Sequence, residues 1–199
     1  MTARLVLASG SATRRVMLER AGLSVVTDAP DVDEGALKQD CRAKKLSAGD
    51  TALTLAIAKA VQVAPRHPGS IVLGADQMLE CDGAWFDKPA DRQAAARQIG
   101  WLSGRTHTLY SAAVAIRDGV MIWRTVESAE LEIRPLSPAF IESYLDRVGD
   151  AVLSSVGGYQ VEGLGIQLFN AIRGEHSTIL GMPLIPLLGF LRDEGVVGS

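Results

Sequence analysis

The chain has 199 residues, of which 47% are hydrophobic and 22% are charged. These values are typical of a globular protein with a substantial core, and they exclude a disordered, collagenous or fibrous chain. Twenty Lys and Arg against 23 Asp and Glu give a net charge of −3, which argues against a dedicated nucleic-acid-binding protein. We therefore expect a single domain over residues 1–199.

The two cysteines, Cys41 and Cys81, lack the close spacing of a metal-binding motif, so we expect reduced thiols in a cytoplasmic protein. The apolar run near the N-terminus, residues 5–8, is too short for a signal peptide. The most apolar stretch, residues 179–191, is also too short for a membrane span. It predicts one buried helix with its prolines in the first turn, and no membrane partner is expected.

The hydrophobic pattern predicts alternating strands and helices in the first 80 residues. These elements are a strand at 5–8, a helix at 12–21, a helix from 50 or 51 to 63, and a strand at 70–75. Polar residues Asp76 and Gln77 follow the last of these strands directly. We interpret them as the point where that strand ends.

Two Asp-Gly pairs predict hairpins in the second half of the chain, because this dipeptide favours the tight turn between paired strands. They are Asp82-Gly83 and Asp118-Gly119. Helices are predicted at 91–102 and 138–148, and a last strand at 166–172. The pattern indicates an α/β protein with a mixed, twisted sheet flanked by helices.

The segment from Ser9 to Arg15 lies where the first strand gives way to the first helix. Helix N-termini attract anions, whereas two cations in a first turn are locally unfavourable. Arg14 and Arg15, with the hydroxyls of Ser9 and Ser11, therefore predict a phosphate site. The alternative is that Ser11 is only an N-cap and that both arginines lie on a solvated face.

Carboxylates follow at two further places in the sequence. Asp31, Asp33 and Glu34 form an acidic segment, and Asp76 follows an otherwise apolar strand. Such groups suit Mg²⁺, and Asp76 could also act as a general base toward a water. The alternatives are a solvated acidic turn at 31–34 and a turn-forming Asp76.

Two lysines complete the set of candidate site residues. Lys59 interrupts the apolar middle of a predicted helix, and Lys88 follows the first predicted hairpin. Each alone is ordinarily a surface lysine whose stem covers apolar neighbours. Together with the arginines and carboxylates, they indicate a site for a polyphosphate–metal complex.

Several short motifs are distributed over essentially the whole chain. They are LASGS with Arg14-Arg15, Val32-Asp33-Glu34, Ala58-Lys59-Ala60, Gly74-Ala75-Asp76-Gln77, Lys88-Pro89, LSGRTH at 102–107, Gly158-Tyr159 with Glu162-Gly163 and Gly165, and Gly181-Met182-Pro183-Leu184. In this order the motifs resemble those of the Maf family of nucleoside triphosphate pyrophosphatases.

The resemblance implies a fold of two lobes with a central cleft, like that of inosine triphosphatases, and hydrolysis of a nucleoside triphosphate to a monophosphate and pyrophosphate. It implies Asp76, Glu34 and Lys88 as catalytic residues, with Glu34 and Asp76 also holding Mg²⁺ or Mn²⁺. It implies substrate contacts by Ser9, Ser11, Arg14, Arg15, Lys59, Gln77 and Glu162. Family habit further favours a homodimer and a housecleaning role, and it suggests a link to cell division.

The nucleobase is the least determined part of this assignment. Gln77 and Glu162 resemble the branch of 7-methyl-GTP pyrophosphatases, and a carboxylate suits the N–H donors of a cationic guanine. The alternatives are a dTTP/UTP pyrophosphatase and a Glu162 that serves only its own loop. Ser111-Ala112 replaces a common Thr-Gly, which leaves the substrate fit open.

A function of another class is a nucleotide-binding regulator of cell division that does not turn over its ligand. A pure binder needs the basic residues but gains nothing from carboxylates beside phosphates. The presence of both Glu34 and Asp76 therefore favours an enzyme.

Overall fold

The computed structural model describes residues 4–198, and the chain divides into two compact units. The first unit comprises the residues up to Gln77, Tyr110–Ser128 and the residues from Glu175 onward. The second unit comprises Met78–Leu109 and Ala129–Gly174.

A seven-stranded sheet is the centre of the described structure. The strands are β1 (Leu5–Ala8), β2 (Val25–Thr27), β3 (Ile71–Cys81), β4 (Ala84–Phe86), β5 (Thr106–Arg117), β6 (Val120–Ile133) and β7 (Phe169–Arg173). The helices are α1 (Ala12–Arg20), α2 (Glu34–Ala43), α3 (Ala48–Val63), α4 (Arg92–Leu102), α5 (Pro138–Val148), α6 (His176–Ile179) and α7 (Leu184–Asp193).

The sheet has the order β2-β1-β3-β5-β6-β7, and β4 pairs with β3. Strand β1 runs parallel to both β2 and β3, with Leu5 opposite Val25 and Ile71. Strand β4 is antiparallel to β3, and β7 is antiparallel to β6. The prediction of a mixed α/β sheet flanked by helices is therefore confirmed.

One face of the sheet in the first unit packs against α1 and α7. Alternate residues of β1 and β3, such as Leu7 and Leu73, form a buried cluster with Leu18 of α1 and Leu187 and Leu191 of α7. Alternation along a strand directs the intervening residues to the opposite face. That opposite face receives α3.

Gly74 permits the close approach of α3 to β3. A Cβ at this position would overlap the carbonyl oxygen of Ala56 and would lie 2.9 Å from the Cβ of Ala60. Both alanines belong to α3, so only glycine leaves room for this helix. The contact lies next to Lys59 on the helix and two residues before Asp76 on the strand.

Both predicted Asp-Gly hairpins are confirmed. Asp82 and Gly83 connect β3 to β4 with φ values of 50° and 78°. Asp118 and Gly119 connect β5 to β6 with φ values of 48° and 79°. Positive φ at both central residues is the conformation that fits the twist of paired strands, which is why this dipeptide is informative.

Strand β3 differs from the prediction, because it continues without interruption from Ile71 to Cys81. Asp76 and Gln77 therefore lie within a strand and do not end it. Two polar residues in succession ended the apolar pattern, but each of these side chains finds partners on its own face of the sheet, so backbone pairing continues.

Three other predictions need correction. The stretch 179–191 is not one helix: α6 ends at Ile179 and α7 begins at Leu184, because Gly181 has a φ of 94° and Pro183 lacks an N–H. The second predicted helix begins at Ala48, with Ser47 as N-cap. Helix α2 and strand β2 were not predicted, since α2 is largely polar and β2 has only three residues.

The last predicted strand begins at Phe169 and not at residue 166, because 164–168 form a 3-10 turn. Among residues 4–198, no helix has the length and apolarity that a membrane span requires.

Candidate active site

Strand β3 directs two adjacent polar side chains to opposite faces of the sheet. Asp76 shares its face with Gly74, against which α3 packs, so its side chain meets α3. Gln77 lies on the other face, with Leu73 and Ala75. The side chain of Asp76 is only 7% exposed, and a carboxylate so deeply buried requires a partner.

That partner is Lys59, whose ammonium group is shared by two carboxylates. Its Nζ donates a short hydrogen bond to Oδ1 of Asp76 and lies 2.7 Å from Oε1 of Glu34. The Lys59 side chain is only 8% exposed. The interpretation of Lys59 as a surface lysine is therefore wrong, whereas its predicted contact with a triphosphate stays a prediction.

Glu34 is the first residue of α2, and its neighbour Asp33 caps the helix by accepting a hydrogen bond from the Ala36 N–H at 2.9 Å. Partial burial raises the pKa of Glu34, but the hydrogen bond and charge of Lys59 outweigh this and hold the pKa below its ordinary value. Lys38 and Arg14 act in the same direction. Glu34 is therefore ionised at neutral pH.

Arg14 is buried in the first turn of α1 and binds backbone carbonyl groups of two other segments. Its Nε donates to the Gly181 carbonyl at 2.8 Å, and its Nη1 donates to the Ala75 carbonyl at 3.0 Å. Burial lowers the pKa of Arg14, while the charges of Asp76 and Glu34 oppose that shift. The guanidinium thus stays charged and fixes α1 to β3.

The two serines of this segment serve the helix start. Ser11 caps α1, accepting a hydrogen bond from the Arg14 N–H at 3.3 Å. The hydroxyl of Ser9 accepts from the Ser11 N–H at 3.2 Å and from Nη1 of Arg14 at 3.4 Å. The N-cap interpretation of Ser11 is correct, and it does not conflict with a phosphate site at the same helix end.

Arg15, unlike the buried Arg14, is exposed to solvent. Its side chain is 47% exposed and pairs with Glu19 one turn later, at 3.2 Å. The same role was predicted for both arginines, because adjacent residues in a first turn cannot be distinguished without knowing which side of the helix packs. Only Arg14 lies on the packed side.

Gln77 is held by Ser111, which the sequence connected only with the fit of the substrate, and by two carbonyl groups that it did not identify as part of a site. Its Nε2 lies 3.0 Å from the Ser111 hydroxyl, 3.1 Å from the Thr178 carbonyl and 3.0 Å from the Ile179 carbonyl. Ser111 in turn donates to the Thr178 carbonyl at 2.7 Å. These residues are far from Gln77 in the sequence, so no local sequence pattern could reveal their contacts with it.

Lys88 and Glu162 belong to the second unit, and both are exposed. Lys88 follows β4, and Glu162 lies among the turns after Tyr159. Their predicted roles toward a substrate stay predictions.

The pair of carboxylates can be tested for its fit to a metal ion. Among residues 4–198, no three His, Cys, Asp or Glu side chains form a cluster that could hold one. Glu34 and Asp76, however, both reach the same ammonium group. Mg²⁺ is commonly held by one or two carboxylates, with waters and substrate phosphates as its other ligands. The pair fits such an ion.

Comparison with known proteins gives similarity over nearly the whole chain. A nucleoside triphosphate pyrophosphatase of Paramagnetospirillum magneticum is 51% identical, over 96% of this chain and 98% of the relative. A 7-methyl-GTP pyrophosphatase of Mesorhizobium japonicum is 50% identical, over 99% of each chain. A 7-methyl-GTP pyrophosphatase of Brucella abortus is 47% identical, over 98% of each.

A solved structure of a dITP/XTP pyrophosphatase from Mycobacterium abscessus matches 98% of this chain and 100% of that chain, with 15% identity and a TM-score of 0.46. Residues 4–194 match the family described as Maf-like protein. The chain therefore belongs to the Maf-like protein family, and the resemblance found in the sequence motifs is confirmed.

Proposed function

We propose that this protein is a nucleoside triphosphate pyrophosphatase, which cleaves the bond between the α- and β-phosphates and releases a nucleoside monophosphate and pyrophosphate. One observation carries the proposal: the first unit gathers Arg14, Lys59, Glu34 and Asp76 into one charged group beside the N-terminus of α1. The names of relatives that are about half identical support it.

The charges of this group explain how a triphosphate could be accepted. Two cations and two carboxylates nearly cancel, so the substrate-free group is stable without a bound anion. A triphosphate alone would meet repulsion from the carboxylates. A triphosphate with a divalent cation brings its own positive charge, which satisfies the carboxylates and lets Lys59 turn toward phosphate oxygens.

Glu34 and Asp76 would hold Mg²⁺ or Mn²⁺. Such an ion supplies charge neutralisation on the phosphate oxygens when it is bound. Arg14 of α1 donates a hydrogen bond to the Ala75 carbonyl of β3. This contact joins the two elements and fixes the position of the neighbouring Asp76. Precise placement matters here because catalysis depends on groups that are oriented before the substrate arrives.

Asp76 is the proposed general base. It is the more buried of the two carboxylates, with a side chain 7% exposed against 44% for Glu34. A water that donates a hydrogen bond to Asp76 would transfer its proton there as it attacks the α-phosphorus. Lys59 would then stabilise the negative charge that develops on the departing pyrophosphate. A role of Lys88 toward the phosphates stays a prediction.

For the nucleobase we propose a modified guanine such as 7-methylguanine, with dTTP and UTP as the alternative substrates. The names of relatives from Mesorhizobium japonicum and Brucella abortus support the first choice. An exposed carboxylate at Glu162 is compatible with a cationic purine. Comparing kcat/KM for 7-methyl-GTP, GTP, UTP and dTTP tests this part. A tenfold preference for UTP or dTTP would contradict it.

The reaction is tested by product analysis with Mg²⁺ or Mn²⁺. We expect pyrophosphate and a nucleoside monophosphate, and orthophosphate with a nucleoside diphosphate would refute the proposed bond. Asp76→Asn should lower kcat by about 10²–10⁴-fold, the usual contribution of a general base. Asp28→Asn is the matched control, because Asp28 is also ion-paired, with Arg66 at 2.8 Å, within the first unit. It should retain kcat.

A further inference from the structure

The amide of Gln77 is held in one orientation by three groups on two separate segments. Its Nε2 faces the hydroxyl of Ser111 on β5 and the carbonyl oxygens of Thr178 and Ile179 at the end of α6. Carbonyl oxygens only accept hydrogen bonds. Rotating the amide by 180° would place Oε1 against both carbonyls, so electrostatic repulsion excludes the flipped orientation.

The hydrogen bonds of Ser111 exclude the other arrangement of donors and acceptors around Gln77. A hydroxyl has one proton, and that of Ser111 is donated to the Thr178 carbonyl at 2.7 Å. The hydroxyl can therefore only accept toward Gln77, which requires N–H on the facing side of the amide. Ser111 is fully buried, so water does not compete for these hydrogen bonds.

The carbonyl groups that define this orientation are themselves fixed. Glu175 caps α6, accepting hydrogen bonds from the Ser177 N–H at 2.9 Å and the Thr178 N–H at 3.1 Å. The hydroxyl of Ser177 accepts from the Leu184 N–H at 3.0 Å, which joins α6 to the start of α7. The end of α6 is thus a rigid acceptor surface for Gln77.

With Nε2 engaged, the amide presents only its oxygen. Oε1 of Gln77 lies 3.6 Å from the position that a Cβ on Gly181 would occupy. Nη2 of Arg14 lies 3.3 Å from the same position. Gly181, which has a φ of 94°, therefore leaves space beside one hydrogen-bond acceptor and one cationic donor.

We propose that Ser111 is a positioning residue for substrate recognition, which acts by holding Gln77 so that its side chain accepts a hydrogen bond and does not donate one. This inference rests on the proposed function. It predicts that the nucleoside part of the substrate meets Gln77 with an N–H or O–H group. A carbonyl oxygen or an unprotonated ring nitrogen at that point is rejected.

Binding of pairs of nucleotides that differ by one donor tests this inference without requiring turnover. The probes are α,β-methylene triphosphates, whose cleavable oxygen is replaced, measured by calorimetry. Two pairs remove one donor group each: guanosine against inosine, which lacks the 2-amino group, and guanosine against 2′-deoxyguanosine, which lacks the 2′-hydroxyl. In at least one pair the wild type should prefer the donor-bearing member, and Gln77→Met should reduce that preference about three- to tenfold.

Ser111→Ala should narrow the same preference, and Ser111→Thr, which retains the hydroxyl on a residue suited to a strand, should restore it. Gln39→Met is the matched control, because Gln39 is exposed on α2, and it should leave all ratios unchanged.

Equal weakening of both members of every pair by Gln77→Met, or no preference in the wild type, would overturn the inference. Pyrophosphate release by that variant would show that the proposed function survives such a failure. Binding preferences without any pyrophosphate release would instead refute the proposed function and retain this inference.

Discussion

The two units of this protein bury polar side chains in different ways. The first unit buries charged side chains in addition to neutral ones such as Ser111: Lys59 and Asp76 are both less than 10% exposed, and Arg14 is buried beside them. The second unit buries neutral groups, chiefly His107 and Tyr159, whose Nε2 and hydroxyl lie 2.5 Å apart. Burial lowers the pKa of His107 to about 4 and raises that of Tyr159, so both stay uncharged at neutral pH.

This difference distinguishes polar groups that are buried for stability from charged groups that are buried for function. A buried ion pair is often no more stabilising than well-packed apolar groups, because each charge loses its hydration. A neutral hydrogen bond such as that between Tyr144 and the Gly158 carbonyl, at 3.2 Å, stabilises a fold at smaller cost. The second unit uses this solution. The buried charges of the first unit are therefore better explained by the proposed catalytic role than by a gain in stability.

The largest effect is expected from a variant that breaks the contact between α3 and β3, on which the position of the charged group depends. Gly74→Ala would drive a Cβ into the Ala56 carbonyl, so α3 must move and Lys59 with it. We expect a loss of about 3 kcal/mol or more in the free energy of unfolding, measured with urea. Gly189→Ala is the control, because no atom lies within 4 Å of its Cβ position, and helix propensity predicts a gain of about 0.5–1 kcal/mol.

If Gly74→Ala were as stable as the wild type, then α3 would not be tightly seated on β3. The buried position of Lys59 would need another explanation.

Arg14→Ala tests whether a buried charge in the first unit is also structural. The variant leaves the carbonyl groups of Gly181 and Ala75 without their donor. We expect a loss of about 2–3 kcal/mol on urea unfolding, since unpaired buried acceptors cost about 1–3 kcal/mol each and water can reach part of the gap. This is opposite to the effect expected from sequence position alone, because a cation in the first turn of a helix is locally unfavourable.

Arg14→Lys sharpens the test, because it retains the charge but not the planar fork that reaches two carbonyls. Stability close to that of the wild type would show that charge alone matters and would contradict the hydrogen-bonding role.

The pH dependence of stability tests the neutral burial of His107. The unfolded imidazole binds a proton below its ordinary pKa of 6.5, whereas the folded one does so only near 4. The unfolded state therefore binds more protons in between, and stability that is complete above pH 6.5 is lost as the pH falls toward 4. We expect about 2 kcal/mol less stability at pH 5 than at pH 8.

His107→Gln, which is neutral at every pH, should flatten this dependence. An unchanged slope in that variant would assign the titration to other groups.

Local features were predictable from the sequence, and packing was not. The Asp-Gly hairpins and the Ser137 N-cap with Pro138 follow from backbone rules that act over a few residues. The fate of Arg14 depends on Gly181, which is 167 residues away. The charged residue types predicted a site for a polyphosphate–metal complex, and the structure brings Arg14, Lys59, Glu34 and Asp76 together. Only the tertiary structure shows which of these residues are buried. It also shows that Ser111 is hydrogen-bonded to Gln77.

The smallest expected effect concerns Arg15, the exposed neighbour of Arg14. Arg15→Ala removes an exposed pair with Glu19 and also an unfavourable cation from the first turn of α1. These contributions have opposite sign, so the free energy of unfolding should change by less than about 0.5 kcal/mol. If Arg15 meets the triphosphate as predicted, KM should still rise about two- to fivefold, and less at high salt, because an exposed charge is screened. Arg20→Ala, at the other end of the same helix, is the matched control for loss of one positive charge. An unchanged KM in Arg15→Ala would leave Arg14 as the only arginine of the site and would confine the functional charges to the buried group.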